Sequence, residues 1–398
     1  MKSLSECAYT ENMRLILETV YRKEIVTRKA LTEITGLSSL TIAKIIKTLL
    51  DDGAIMETTP AESEKGRKPL LLAANPDYAY VVGIDIGSYS VKIGAVDFRG
   101  GIMEQEITSY DEEQFPVKVM DFEELKRRIA GLIARYGESR LLGIGLGISG
   151  LVDYDAQTIV FCPNMQGYNN LPVSRLLAEE FGVPVIVDTS ARCMALGEKY
   201  FGKNGFEGDL SFVSIGHSIA AGTIIGNHTF RGTSGFAGEL GHVKSIQSEL
   251  VCTCGSRGCI ELYATLPLIH DRIIAQLDSY RGYSLLKETY VRAGVLTHAD
   301  ISDAVVAGDK VAIEEMERVI SVFCDVLSDY VNLFNPKLLV LGGGFMDLYP
   351  FAIYSMADEL KKKCLTPSQQ NLRLCSSELS VEGAIIGSAM QLIQTRFF

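Results

Sequence analysis

The sequence predicts an α/β protein in two parts: a small, mainly helical domain over residues 1–75, then a body of two related α/β lobes. Two observations carry this. Capped helical periodicity fills the first fifty residues, and one strand–turn–strand pattern occurs twice, at Tyr80 and at Leu210. At 398 residues, with 47% hydrophobic and 22% charged residues, the chain suits two or three globular domains.

Asn12 to Tyr21 places Met13, Leu15, Ile16 and Val20 at helical spacing. Thr27 reads as the cap of a short helix from Arg28 to Thr35, which Gly36 ends. Ser38 caps a third helix with Ile42, Ile45, Ile46, Leu49 and Leu50 on one face, closed by Gly53. Ala54 to Glu57, a charged loop over 62–68, and Pro69 to Ala73 then read as strand, loop, strand. Two short helices about a glycine turn, followed by such a hairpin, form the pattern of a winged helix-turn-helix DNA reader. The outward residues of its second helix, Ser39, Leu40, Thr41 and Lys44, would enter the major groove, with Lys47 nearer the backbone. Arg67 and Lys68 at the wing tip would reach phosphates or the minor groove.

Charge is distributed to suit this. Residues 1–75 hold 11 Lys/Arg against 10 Asp/Glu, while the remainder holds 27 against 39, so the net −11 belongs to the body. No run of eighteen uncharged apolar residues and no signal-like N-terminus appear, which points to a cytoplasmic protein without a membrane span.

Asn75-Pro76-Asp77 marks the start of the body. The run VVGIDIGSYSVKIGAVDFRGG from Val81 and the run SFVSIGHSIAAGTIIGNHTFRG from Ser211 share Ile-Gly after a strand, a second glycine, and a closing Phe-Arg-Gly. Such duplication predicts two lobes facing each other across a ligand cleft. The first spans 76–195, with 382–398 packing back on it, and the second spans 196–381. The apolar helix from Val311 to Phe334 carries more hydrophobic faces than one lobe needs, suggesting a subunit interface in a homodimer or homotetramer.

One cluster carries metal chemistry. Cys252, Cys254 and Cys259 follow His242, with Gly255 and Gly258 allowing a tight fold. Three thiolates and an imidazole make the closed tetrahedral shell of structural zinc. The other cysteines are scattered and read as small buried side chains in a reducing compartment.

From Gly83 onward the chain resembles the ROK family (repressors, open reading frames, kinases), built on the actin-like ATPase fold. The matching segments are GLGISGLVD (145–153), ALGE (195–198), GELGHV (238–243), CTCGSRGCIE (252–261), LLVLGGG (338–344) and EGAIIGSA (382–389). The resemblance implies the same four zinc ligands, His242, Cys252, Cys254 and Cys259. It also implies sugar contacts from Glu239, His242 and Glu261, with Gly150, Asn164 and Ser190 on the other wall. The helix-turn-helix extension resembles the repressor branch, implying a double-stranded operator and a sugar or sugar-phosphate effector.

Kinase chemistry is expected to be lost. Kinases of the family carry an aspartate base in an Asn-Asp-x-Asn segment ahead of Ala-Leu-Gly-Glu, where this chain reads Thr189-Ser190-Ala191-Arg192. Ser190 falls at the base position, and no partner for its hydroxyl is evident in the sequence. Ser88-Tyr89 and Gly216-His217-Ser218 replace the glycine- and threonine-rich phosphate turns. Arg192 and His217 would accommodate an acidic ligand. Against these losses, Asp85 and Gly342-Gly343-Gly344 match nucleotide-site positions, so an ATP-dependent sugar kinase with a DNA-binding head is the alternative. A regulator that senses a protein partner is another.

Overall fold

The structure is a computed structural model that describes residues 9–58, 70–110, 120–162, 165, 167–203, 208–379 and 382–398. Two compact units result: Met1–Phe201 with Val381–Phe398, and Gly202–Ser380.

The first unit opens with α1 (Glu11–Lys23), β1 (Val26–Thr27), α2 (Arg28–Thr35), α3 (Ser39–Asp52), β2 (Ile55–Thr58) and β3 (Leu71–Ala74). The Thr27 hydroxyl accepts from the Ala30 N–H, and Ser38 accepts from Thr41, so each helix starts on a side-chain cap. Gly36 and Gly53 end α2 and α3 at φ of +69° and +87°, a backbone that side chains resist. Ile16, Leu17, Val20, Leu31, Ile42, Ile46 and Leu49 fill the small core. Leu15, grouped with the buried face in the sequence, is 40% exposed, and Leu17 takes its place. β2 and β3 pair antiparallel from Ile55↔Ala74 to Thr58↔Leu71, and β1 adds to β3, giving the winged-helix hairpin. The wing-tip residues Arg67 and Lys68 lie outside the described residues.

The rest of this unit comprises β4 (Tyr80–Ile86), β5 (Ser90–Asp97), β6 (Ile102–Ser109), α4 (Phe122–Tyr136), β7 (Leu141–Ile148), β8 (Leu151–Asp153), β9 (Thr158–Phe161), α5 (Val173–Phe181), β10 (Val185–Thr189) and α6 (Ser190–Phe201). Its sheet runs β10-β7-β4-β5-β6. β4 is antiparallel to β5 and parallel to β7, and β7 is parallel to β10. The C-terminal helix, Glu382–Phe397, returns to this sheet. A side chain at Gly83 or Gly145 would strike its backbone at Ile385 or Ser388, and one at Gly387 would strike Cys193 of α6. Glycine at those three positions lets helix and sheet meet backbone to backbone.

The second unit holds β11 (Leu210–Ile215), β12 (Ile219–Ile225) and β13 (His228–Phe230), followed by α7 (Glu261–Ala264), α8 (Leu266–Ser279), α9 (Leu285–Ala293), α10 (His298–Val306) and α11 (Lys310–Phe334). After β14 (Leu338–Gly342) come α12 (Gly344–Leu348), α13 (Ala352–Lys363), α14 (Thr366–Asn371) and β15 (Arg373–Ser376). The sheet order β13-β12-β11-β14-β15 repeats that of the first unit strand for strand, with the same senses. The duplicated hairpin read in the sequence is therefore the start of a duplicated sheet, the actin-like arrangement. In α11, Val311, Ala312, Met316, Val319, Ile320, Phe323, Leu327 and Val331 are all buried in this unit's own core. Most of the apolar faces that suggested a subunit contact pack internally, while Leu333 near the end of α11 is 80% exposed. Among the described residues no helix is long and apolar enough to cross a membrane.

Candidate functional site

In the second unit a short 3-10 turn, Leu240–His242, presents His242, and a loop closed by the bridges Lys244↔Cys259 and Val251↔Arg257 presents the cysteines. The Gly255 N–H donates to the Cys252 carbonyl, and the Cys252 N–H donates to the Ser256 carbonyl, so Cys252 and Cys254 sit on one tight turn. The four ligand atoms lie within 4.8 Å of one another. His242 Nδ1 is 3.6 Å from Cys252 Sγ, and Cys254 Sγ is 3.6 Å from Cys259 Sγ. A tetrahedral zinc with Zn–S near 2.3 Å has edges of about 3.8 Å, so the spacing fits such an ion. Burial pushes the Cys252 thiol up to about 11. Burial acts the same way on Cys254, but hydrogen bonds from the Ser256 N–H and the neighbouring thiols outweigh it and hold that thiol below its ordinary value. Lys244 Nζ stands 2.7 Å from Cys259 Sγ, a cation beside a thiolate cluster.

The His242 ring divides its nitrogens. Nδ1 faces Cys252, while Nε2 lies 3.9 Å from Glu239 Oε2. Glu261, the first residue of α7, accepts from the Ile219 N–H at 3.2 Å. Burial raises its carboxyl above the usual range, with His242 and that N–H opposing. A side chain on Gly241 would stand 2.5 Å from Glu261 Oε2 and 2.7 Å from the Ile219 carbonyl, so Gly241 makes room for the carboxylate. The structure thus gathers Glu239, His242 and Glu261 around the metal-ligating turn.

In the first unit, Ser190 opens α6, and its hydroxyl donates to Asp85 Oδ1 at 2.5 Å. Lys92 Nζ donates to Asp85 Oδ2 at 3.1 Å, from the position that pairs with Asp85 across β4 and β5. The Ser190 hydroxyl, for which the sequence offered no partner, is thus tied to a buried carboxylate that already has a counter-ion. Gly147 is the floor of this contact: a side chain there would stand 3.3 Å from Asp85 Oδ1 and 3.1 Å from Cys193 Sγ. Gly150 abuts the Phe161 carbonyl, and Asn164 lies outside the described residues. Arg192 takes no acidic ligand: it is fully buried and paired with the equally buried Asp188 at 2.5 Å. The His217 ring lies 5.8 Å from that of His298.

On the head, Ser39, Leu40, Lys44 and Lys47 are exposed along α3, with Leu40 at 68%, and Thr41 is partly covered by its bond to Ser38. An exposed leucine flanked by polar residues and lysines suits a helix that lies in a groove.

Lys92, Gly241 and Lys244, and the bond between Asp85 and Ser190, were not read from the sequence. Only the Asp85–Lys92 pair left a legible signal, because the two residues stand symmetrically about the Gly87–Ser90 turn.

A winged helix-turn-helix joined to one of two repeated actin-like sheets defines a repressor-type architecture on the sugar-kinase fold. The chain belongs to the ROK family, whose model matches residues 82–395. It is 27% identical to the xylose repressor of Caldicellulosiruptor bescii, over 96% of this chain and 95% of that protein. It is also 26% identical to a glucokinase of Thermotoga maritima, over 78% of this chain and 96% of that one. Among solved structures, a ROK family transcriptional regulator described as a homolog of the E. coli MLC protein superposes with a TM-score of 0.77, at 23% identity over 97% of both chains.

Proposed function

We propose that this chain is a sugar-responsive, DNA-binding transcriptional repressor whose body has lost kinase chemistry. The observation that carries the reading is the joining of a helix-turn-helix head to a ROK body in which a serine, bonded to Asp85, stands at the kinase base position. The near-full-length match to a xylose repressor, head included, supports it. In this reading α3 reads the major groove of a pseudo-palindromic duplex bound by a dimer or tetramer, through Ser39, Leu40, Thr41 and Lys44, with Lys47 nearer the backbone and Arg67 and Lys68 assigned to the wing. His242, Cys252, Cys254 and Cys259 would hold a structural zinc, which would fix the His242 ring and anchor the loop leading to Glu261. Glu239, His242 and Glu261 are the second unit's sugar contacts, and Gly150, Asn164 and Ser190 those of the first. A coupling of about 1–3 kcal/mol between sugar and DNA suffices for release.

The test is fluorescence anisotropy with duplex DNA flanking the protein's own gene, with and without a panel of sugars and sugar phosphates. Tight binding weakened by one sugar is expected. Tight binding that no sugar alters would move the reading to a regulator sensing a protein partner. The second reading, an ATP-dependent sugar kinase with a DNA-binding head, draws on the glucokinase match and on Asp85, and sugar-dependent ADP release is its signature.

A further inference from the structure

Helix α6 joins two dissimilar ends of the first unit. At its start, Ser190 is bonded to Asp85. At its finish, Tyr200 and Phe201 lie edge-on to Tyr21 of α1, with ring centroids 6.2 and 6.0 Å apart. Between them Ala191 to Lys199 are buried but for Met194, and the helix is pressed so closely to the C-terminal helix that only glycine fits at 387. The Arg192–Asp188 ion pair ties its first turn to β10. Twelve residues span roughly 18 Å, and an element packed this tightly shifts as a body rather than bending.

The far joint is built differently. The hydroxyls of Tyr21 and Tyr200 are buried with no hydrogen-bond partner among the described residues. The amide of Gln391, a residue 2% exposed, is likewise without one on either atom. Gln391 lies one turn beyond Gly387, on the helix face that meets α6. Buried polar groups left unpaired destabilise a fold, and a joint made only for rigidity would carry phenylalanine and leucine here. Two such hydroxyls on edge-to-face rings at one junction, with a third unpaired group farther back on the C-terminal helix, are explained if a second arrangement gives them partners. We propose that α6 is a lever that carries ligand occupancy at Ser190 to α1 of the DNA-binding head, with the Tyr21–Tyr200 joint as its bistable contact. The inference rests on the effector reading above for what occupies Ser190, but the lever itself is testable without any effector.

The test is a mutant cycle on the full chain, read as hydrogen exchange of the α1 amides. Sites this far apart behave additively unless an element couples them. Ser190→Leu, which fills the start of α6, is expected to change α1 exchange at least fivefold in the native background. In the Tyr21→Phe/Tyr200→Phe background, where the hydroxyls no longer favour a second arrangement, the change should be under twofold. Ser190→Ala run through the same cycle covers the case in which the leucine variant fails to fold. Equal changes in both backgrounds, or no change in either, would overturn the lever. A coupled cycle in a protein that no sugar acts on would sink the effector reading and leave the lever standing. Sugar-driven DNA release with an additive cycle would do the reverse.

Discussion

The Ser190 hydroxyl donates its one hydrogen to Asp85 at 2.5 Å, across 105 positions of sequence. A serine so committed offers incoming groups only its lone pairs, and Lys92 already balances the carboxylate behind it. On the proposed reading, neither residue serves as the base for a sugar hydroxyl. Loss of the general base alone removes about 10²–10⁴-fold in rate. Purified protein given Mg-ATP and a broad sugar panel is therefore expected to release ADP no faster than without sugar. Sustained sugar-dependent turnover in a coupled assay would show that the chemistry survives.

Gly241→Ala is the sharpest probe of the sugar side. Its methyl group would crowd both the Glu261 carboxylate and a backbone carbonyl that has nowhere to go. The sugar concentration for half-release should rise tenfold or more, with sugar-free DNA affinity within twofold of native. Glu261→Ala should abolish the response altogether. An unchanged midpoint in both variants, read by anisotropy, would remove Glu261 from the pocket.

Cys254→Ser tests the metal. Native mass spectrometry should show zinc falling from one per chain to a small fraction, with the sugar response lost, because a tetrahedral structural site tolerates no missing ligand. Full zinc occupancy in the variant would refute the assigned ligand set.

Lys47→Ala, nearer the backbone, should weaken DNA binding with little regard to sequence, whereas Lys44→Ala should also relax sequence preference. With Lys47 meeting one phosphate, the slope of log affinity against log salt falls by about 1 in Lys47→Ala. A Lys47→Ala variant that instead loses sequence preference at constant slope would place that lysine on a base edge.

Arg192→Leu leaves Asp188 charged and fully buried, a loss of about 3–5 kcal/mol. Denaturant unfolding should show most of that loss recovered in Arg192→Leu/Asp188→Leu. Failure of the second substitution to recover stability would mean that Arg192 is held mainly by other partners.

The local grammar of the head was legible residue by residue. Thr27, Gly36, Ser38 and Gly53 each act within four positions of their own site, and each stands where the capping pattern puts it. The duplicated sheet was legible because its first hairpin is written twice. Leu15 was misplaced for want of knowing what α1 packs against. The destination of α11's apolar faces and the partner of Ser190 were hidden for the same reason: both are set by residues remote in sequence, which periodicity does not report. Arg192 was misjudged because a buried arginine is rare, and its partner one turn back reads like any surface pair.

The C-terminal helix completes a sheet begun some three hundred residues earlier, with Ser388 accepting from the Ile84 N–H in the middle of β4. During synthesis the ribosome delivers the whole second unit before the first one can close. The strands from β4 to β10 must wait with one face bare, so the early half of this chain is a client for chaperones until its last helix emerges.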